Sequence, residues 1–323
     1  MPAIRFYLPD GIPDDMPLSP GMYWTGFAGK MRSGVYAWIV QTWQHLRAAG
    51  FPCELTSTLP RDGIMIAHRK SLPRDYVPPP GLLFVCTRAD ATFHPYAHWH
   101  VVLNRLELNP WFPSIFMPHW PQPGLLPRDP ARGDTWQNAA FFGDPGCVAK
   151  EMQGPSWEET LRTLELQWNF VGPDKWHDFR DVDVVVAVRG FDGHRHGNKP
   201  PTKLFNAWHA GVPAVLGNES AYQQQRKDAL DYLEVRSFPE VVAALRKLKE
   251  DPGLRRAMVE HGAIRARETA PEVITARWRE FLETTAVRAY EAMPRTGGAR
   301  HTLFRINGRL KTVAQDLRER FWR

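Results

Sequence analysis

The order of apolar and polar positions along the chain predicts two successive runs of alternating strands and helices. In the first run, short apolar segments alternate with turns and proline-rich stretches. The predicted strands are 4–9, 53–56, 63–67, 82–87, 101–103 and 114–117. A helix at 33–49, closed by Gly50, follows the first of them. This pattern is typical of a Rossmann-like α/β half with few regular helices.

The second run begins with a strand at 137–143 and continues with a helix at 157–164 and a strand at 166–171. The apolar run DVVVAVR at 183–189 is typical of a strand that is buried on both faces of a parallel sheet. Capping-box spacing predicts helices that start at Ser220 and Ser237, and Asp251 before a proline predicts a third. One long late helix is expected at 272–293.

The segment 198–222, NKPPTKLFNAWHAGVPAVLGNESAY, contains the clearest candidate site. Its polar loop carries Lys199, Thr202 and Lys203 to the start of a helix, where free backbone N–H groups and the helix dipole favour an anion. Arg189 ends the preceding strand, and ligands of open α/β sheets bind at the carboxyl ends of strands. These residues therefore predict a site that would suit a diphosphate.

The length of the chain and its cysteine content limit the possible domain organisation and cellular location. A chain of 323 residues favours two domains, and we predict them at 1–120 and 137–290, joined by a proline-rich linker at 121–136. Neither a signal peptide nor a membrane-spanning stretch is recognisable, so a cytoplasmic protein is expected. The three cysteines are far apart and suggest neither a disulfide framework nor a metal site.

Most of the net charge of +6 lies in the C-terminal segment 291–323, where residues 300–323 hold seven basic and two acidic side chains. Apolar residues recur there at spacings of three and four, at Leu303, Ile306, Leu310, Val313, Leu317 and Phe321. Two interpretations stay open. This basic amphipathic helix could lie on the anionic surface at the inner face of a membrane, or it could pack on the first domain.

The string KPPTKLFNAWHAGVPAVLGNESAY resembles the donor-binding segment of GT-B glycosyltransferases, which transfer a sugar from a nucleotide sugar to an acceptor. The resemblance covers roughly residues 165–260. Large retaining families have Glu, seven residues, Glu and then Ala-x-x-x-Gly-x-Pro; this chain has Asn198 and Asn206 at the two Glu positions. Inverting fucosyltransferase-like families have Thr-Glu-Lys-Leu, two residues and Ala; this chain has Thr202, Lys203 and Leu204 without the Glu.

The resemblance implies two Rossmann-like domains that face each other across a cleft, with C-terminal helices that cross back to the first domain. It implies that a nucleotide sugar is a co-substrate, that no other cofactor or metal is needed, and that the acceptor is a glycan or lipid-linked glycan of a surface polysaccharide. No nucleic-acid partner is expected. The donor-binding residues would be Arg189, Asn198, Lys199, Thr202, Lys203 and Asn206. The absence of both Glu residues favours inversion at the sugar.

A general base would then come from the polar residues that follow the strands of the first domain. The candidates are Asp90, His94 and His119. Further hypotheses concern Lys30 and Arg32 in the glycine-bearing turn 26–34, a zinc site of His94, His98 and His100, and a loop with His194 and His196 that would close over the sugar. The alternatives to a glycosyltransferase are a sugar-nucleotide epimerase of the same fold, and a noncatalytic protein that binds membranes or nucleic acid through its basic tail.

Overall fold

Each half of the chain builds its own parallel sheet. The structure is a computed structural model that describes residues 1–12, 19, 34–294 and 296–321, and contacts divide them into two units. The first unit contains the described residues of Met1–Pro20, Ser33–Met117 and Ile274–Arg323, and the second contains Pro118–Val273. The predicted turn at 26–34, with Lys30 and Arg32, lies almost wholly outside the described residues.

Within its described part, the first unit has a six-stranded sheet in the order β2-β1-β3-β4-β5-β6, with every neighbouring pair parallel. The strands are β1 (Ile4–Tyr7), β2 (Glu54–Thr56), β3 (Gly63–His68), β4 (Leu82–Thr87), β5 (Trp99–Val102) and β6 (Ser114–Phe116). All residues of β3 and β4 are buried, as expected for central strands covered on both faces. Helix α1 (Gly34–Ala48) buries Trp38, Ile39 and Leu46.

The second unit has a five-stranded parallel sheet in the order β11-β10-β9-β7-β8, again counted over the described residues. Its strands are β7 (Asn138–Phe142), β8 (Gln167–Val171), β9 (Val184–Ala187), β10 (Ala214–Gly217) and β11 (Leu233–Val235). Its helices are α2 (Pro155–Thr163), α3 (Thr202–Ala210), the short α4 (Ser220–Gln223), α5 (Phe238–Glu250) and α6 (Pro252–Ala266). Two α/β units of this kind confirm the predicted fold class.

The proline-rich segment 121–136, which we predicted as a linker, lies in the second unit. Arg128 and Arg132 hold it there, because both donate to the buried carboxylate of Asp183 just before β9. The backbone N–H groups of Gln137 and Asn138 donate to the same carboxylate at 2.9 Å. The segment is therefore fixed to the sheet by a buried ion-pair network.

The late helices return to the first unit, as the resemblance implied. Trp278 in α7 (Pro271–Glu280) is fully buried, and its ring centroid lies 6.5 Å from that of Phe6 in β1. The expected single helix at 272–293 is interrupted by a π-helical segment, Phe281–Ala286, before α8 (Val287–Ala292). The predicted domain 137–290 thus extends beyond the second unit, which ends at Val273.

The C-terminal helix α9 (Ala299–Phe321) packs on the first unit along one side only. Phe304 stacks on His98 with ring centroids 4.6 Å apart, and Arg74 donates to Asp316 at 2.6 Å. Its apolar stripe is exposed and consists of Leu303, Ile306, Leu310, Val313 and Leu317. The described residues include no helix with the length and apolar character that a membrane span requires.

Candidate functional site

In the second unit, three strand ends and one helix start meet at the same edge of the sheet. Parallel strands place their carboxyl ends together, so the residues after β7, β9 and β10 are neighbours. Helix α3 begins at Thr202, with Lys203 in its first turn, and ends at Gly211 in the left-handed conformation (φ 68°). The first turn leaves N–H groups without helical partners, and these groups favour an anion.

Lys203 is the principal cation of this site. Its ammonium Nζ lies 5.0 Å from the centre of the Phe141 ring in β7, and within the described residues it has neither a hydrogen-bond acceptor nor an ion-pair partner. Burial and the nearby Arg189 charge lower the pKa of Lys203 to about 8. A Cβ at Gly143 would lie 2.9 Å from the Phe141 ring and 3.8 Å from this Nζ, so glycine leaves the room that both need.

Arg189 and Glu219 form the second part of the site. Arg189 follows β9 and Glu219 follows β10, and the Arg189 Nε donates to Glu219 Oε2 at 3.1 Å. Burial lowers the pKa of Arg189, but the Glu219 carboxylate outweighs it and leaves the pKa above its ordinary value. Glu219 is 3% exposed, and its second oxygen, Oε1, is buried without a hydrogen-bond partner.

The remaining predicted donor-binding residues lie around the same helix start. Asn198 and Lys199 are half-buried in the loop before α3, and both make contacts there. Thr202 is half-buried at the first position of α3. Asn206 is different, because its side-chain Oδ1 accepts from the Gln122 backbone N–H at 2.9 Å. This bond ties the 121–136 segment to α3 and gives Asn206 a structural function.

The loop with His194 and His196 lies beside Glu219. The Ser220 backbone N–H donates to the Arg195 carbonyl at 2.9 Å, and the two histidine rings are 4.4 Å apart. Burial lowers the pKa of His196, while the Glu219 charge acts in the opposite direction. The loop therefore borders the site on the side of β10.

In the first unit, the candidate bases Asp90 and His94 have different surroundings. Asp90 is exposed just after β4, at the carboxyl end of the sheet. His94 is fully buried, with Nε2 3.0 Å from the Pro73 carbonyl and Nδ1 accepting from the Tyr96 N–H at 3.2 Å. Burial lowers the pKa of His94 to about 4. Both of its ring nitrogens serve the backbone, so His94 fits a structural function better than that of a base.

His119 lies in the second unit, whereas the resemblance placed the base in the first domain. Its Nδ1 is 2.7 Å from the Trp120 carbonyl, and burial lowers its pKa. The histidines of the predicted zinc site use ring nitrogens in hydrogen bonds with the backbone. His98 Nδ1 accepts from the Phe84 N–H at 3.0 Å, and His100 Nε2 accepts from the His94 N–H at 3.1 Å. The described residues contain no cluster of His, Cys, Asp or Glu suited to a metal ion.

The solved structures similar to this chain share its two-unit arrangement of parallel sheets. Sucrose-phosphate synthase from Thermosynechococcus elongatus is 11% identical with a TM-score of 0.57, over 89% of this chain and 100% of that one. The Thermobaculum terrenum O-GlcNAc transferase is 14% identical with a TM-score of 0.51, over 90% of this chain and 68% of that one. These proteins are GT-B glycosyltransferases. This chain has the GT-B fold.

A third GT-B structure, TarM, is 10% identical with a TM-score of 0.50, over 79% of this chain and 58% of that one. No protein-family model matches the sequence, and no curated protein matches it.

Sequence reasoning missed Glu219 and Phe141. We predicted that Ser220 caps a helix, but Ser220 is the first residue of α4 and Glu219 precedes it with φ −68° and ψ 140°. The Glu219 side chain makes no cap and turns to Arg189 instead. The signal available in the sequence was a carboxylate two residues after the apolar run that forms β10.

Proposed function

We propose that this protein is a glycosyltransferase that transfers a sugar from a nucleotide-sugar donor to a glycan or glycoconjugate acceptor. The observation that carries the proposal is the position of Lys203. Its ammonium has no partner among the described residues and stands at the start of α3, beside Arg189 at the end of β9. An unpaired cation in a half-buried site is costly unless an anion completes it.

The proposed anion is the diphosphate of the donor. As the glycosidic bond breaks, negative charge develops on the departing nucleotide diphosphate, and fixed cations and helix N–H groups stabilise that charge. Lys203 and the first turn of α3 would contact the diphosphate directly. Arg189 would add its terminal amino groups, because only its Nε has an acceptor among the described residues. We propose that these groups replace a divalent metal and that no further cofactor is used.

We propose that the transfer inverts the configuration of the sugar. The retaining families carry Glu at the positions of Asn198 and Asn206, and the Asn206 amide oxygen is already bonded to the Gln122 backbone. An inverting enzyme needs a base for the acceptor hydroxyl. We assign that base to Asp90, since it is exposed after β4, whereas the rings of His94 and His119 bond backbone carbonyls.

The proposed acceptor is a lipid-linked glycan of a surface polysaccharide, reached at the cytoplasmic face of an anionic membrane. The support comes from α9. Its exposed apolar stripe lies opposite the side that packs on the first unit, and Arg300, Arg305 and Arg309 on the same helix are exposed. Apolar and basic side chains together are the combination with which a peripheral helix binds anionic lipid.

Calorimetric titration with UDP, GDP, ADP and CMP tests the central proposal. We expect one of these nucleotides to bind with millimolar or tighter affinity, and binding by none of them would overturn the proposal. Incubation with the matching nucleotide sugars then separates transfer from epimerisation. A transferase releases the nucleotide only when an acceptor or water takes the sugar, whereas an epimerase alters the nucleotide sugar without an acceptor.

A further inference from the structure

We propose that Glu219 accepts a hydrogen bond from a hydroxyl group of the nucleotide-sugar donor through its Oε1 atom. The inference rests on the function proposed above. It assigns a donor-recognition residue that the resemblance does not supply, because the chain carries Asn198 and Asn206 where retaining families have Glu.

The first step of the argument is burial. Glu219 is 3% exposed, and its Oε1 has no hydrogen-bond partner although it is shielded from solvent. A buried carboxylate oxygen without a donor loses its hydration and gains nothing in return. A ligand that brings an O–H or N–H group to this oxygen would remove that cost.

The second step is position. Glu219 lies two residues after the end of β10, which neighbours β9 in the sheet, and its Oε2 accepts a hydrogen bond from the Arg189 Nε at 3.1 Å. The charges of Glu219 and Arg189 both act on Lys203, so all three side chains belong to one site. The carboxylate is thus oriented by one cation and lies close to the place proposed for the diphosphate.

The third step concerns charge. A carboxylate beside a diphosphate weakens phosphate binding, because like charges repel. Glu219 would therefore be a disadvantage in a site that bound inorganic phosphate alone. It is an advantage in a site for a ligand that also carries hydroxyl donors, and a nucleotide sugar carries them on its ribose and on the transferred sugar. Both sources present the same chemistry to Oε1.

The experiment compares the wild-type chain with Glu219→Gln, which keeps the shape and removes the charge. Four ligands are titrated: the nucleoside diphosphate that the wild type binds, its 2′,3′-dideoxy analogue, the matching nucleotide sugar, and inorganic pyrophosphate. If Oε1 binds the ribose, we expect Glu219→Gln to bind the nucleotide about 10- to 100-fold more weakly, because a charge-assisted hydrogen bond is lost. Pyrophosphate should bind as tightly as to the wild type or more tightly, because a repelling charge is gone.

The dideoxy analogue separates the two sources. If Oε1 binds the ribose, the wild type should discriminate against the analogue by about tenfold or more, and Glu219→Gln by less than about threefold. If Oε1 binds the transferred sugar, the wild type should bind the nucleotide sugar more tightly than the nucleotide. Glu219→Gln should then bind the two ligands with nearly equal affinity. Either result supports the assignment.

Glu234→Gln is the matched control, because Glu234 is another largely buried glutamate in the same sheet that pairs with arginines, Arg226 and Arg236. It should leave the affinities for all ligands unchanged. The assignment is overturned if Glu219→Gln binds the nucleotide, the analogue and the nucleotide sugar at least as tightly as the wild type. In that case the proposed function stands, whereas a wild-type chain that binds no nucleotide removes both.

Discussion

The Lys203 ammonium lies 5.0 Å from the centre of the Phe141 ring, above the end of the strand that precedes Gly143. The aromatic face stabilises a cation that would otherwise be poorly solvated. The ring forms no ion pair, so the ammonium of Lys203 still has no hydrogen-bond acceptor within the described residues. In a site of this kind, the Lys203 ammonium is available to bind an anionic ligand.

Replacement of Lys203 by methionine should therefore weaken nucleoside diphosphate binding by about 10- to 100-fold, since a hydrogen bond to a charged group contributes about 1.5–3 kcal/mol. The melting temperature should fall little or rise, because a half-buried charge is exchanged for an apolar side chain of similar length. Calorimetric titration and thermal unfolding measure the two quantities. Lys227→Met, which removes an exposed ion pair with Glu268, is the control and should not change binding.

The affinity for the diphosphate should also depend on pH. The pKa of Lys203 is about 8, below its ordinary value of 10.5, so the free site is cationic below pH 8 and neutral well above it. The affinity for the diphosphate should be nearly constant from about pH 7 to 7.5 and should fall as the pH rises through 8. At about pH 8.5, binding of the diphosphate should be accompanied by proton uptake, because the bound anion favours the protonated form of Lys203. The Lys203→Met variant should have no such step, and an identical profile in both proteins would contradict the assignment.

Much of this fold could be predicted because apolar runs such as 183–189 specify buried parallel strands whatever the neighbours are. Contacts between individual side chains could not be predicted in this way. Asn206 stays a predicted donor-binding residue, but the bond that its amide oxygen accepts from the backbone N–H of Gln122, 84 residues earlier, was not predicted. Glu219 was not assigned at all, because its partner Arg189 lies 30 residues away on another strand. Such pairings depend on strand order, which local patterns do not contain.

The Asp183 network should be a major source of stability in the second unit. Burial raises the pKa of Asp183, but hydrogen bonds from Arg132, Gln137, Asn138 and Arg128 outweigh it, so the pKa is below its ordinary value. Asp183→Asn should lower the free energy of unfolding by about 3–5 kcal/mol, because it leaves two arginines without their counter-charge. This stabilisation is present above about pH 4 and is lost as the pH falls through the lowered pKa.

Urea unfolding measures this loss. Asp181→Asn is the matched control, because Asp181 also faces Arg132, at 3.5 Å, but its side chain is 87% exposed. An exposed pair of this kind contributes less than about 1 kcal/mol. Equal losses in the two variants would show that the proline-rich segment is not held by the buried network.

Helix α9 depends on close contact with the first unit at Gly308. This residue is buried, and a Cβ built on it would overlap the ring of Tyr96. Gly308→Ala should therefore displace the helix and cost about 1–3 kcal/mol by overpacking, although alanine is the better helix former. Hydrogen exchange of the α9 amides should accelerate in this variant. Asn307→Ala, one residue away on an exposed position, should slow it or leave it unchanged.

The exposed stripe of α9 should bind anionic bilayers. Leu303 and Leu310 are each 64% exposed, so their replacement by glutamine should change the melting temperature little. Burial of two leucines in a bilayer surface contributes roughly 3 kcal/mol, and the double variant should lose at least about tenfold in partitioning. Co-sedimentation with phosphatidylglycerol–phosphatidylcholine vesicles measures it.

Asn307→Gln is the control on the same helix and should bind these vesicles as the wild type does. Raising the salt concentration to about 1 M should weaken binding of the wild type, because it screens the attraction between the exposed arginines and the anionic lipids. Vesicles of phosphatidylcholine alone should bind less protein for the same reason. If the double leucine variant sediments with anionic vesicles as fully as the wild type, the stripe does not contact the membrane, and the lipid-linked acceptor loses its structural support.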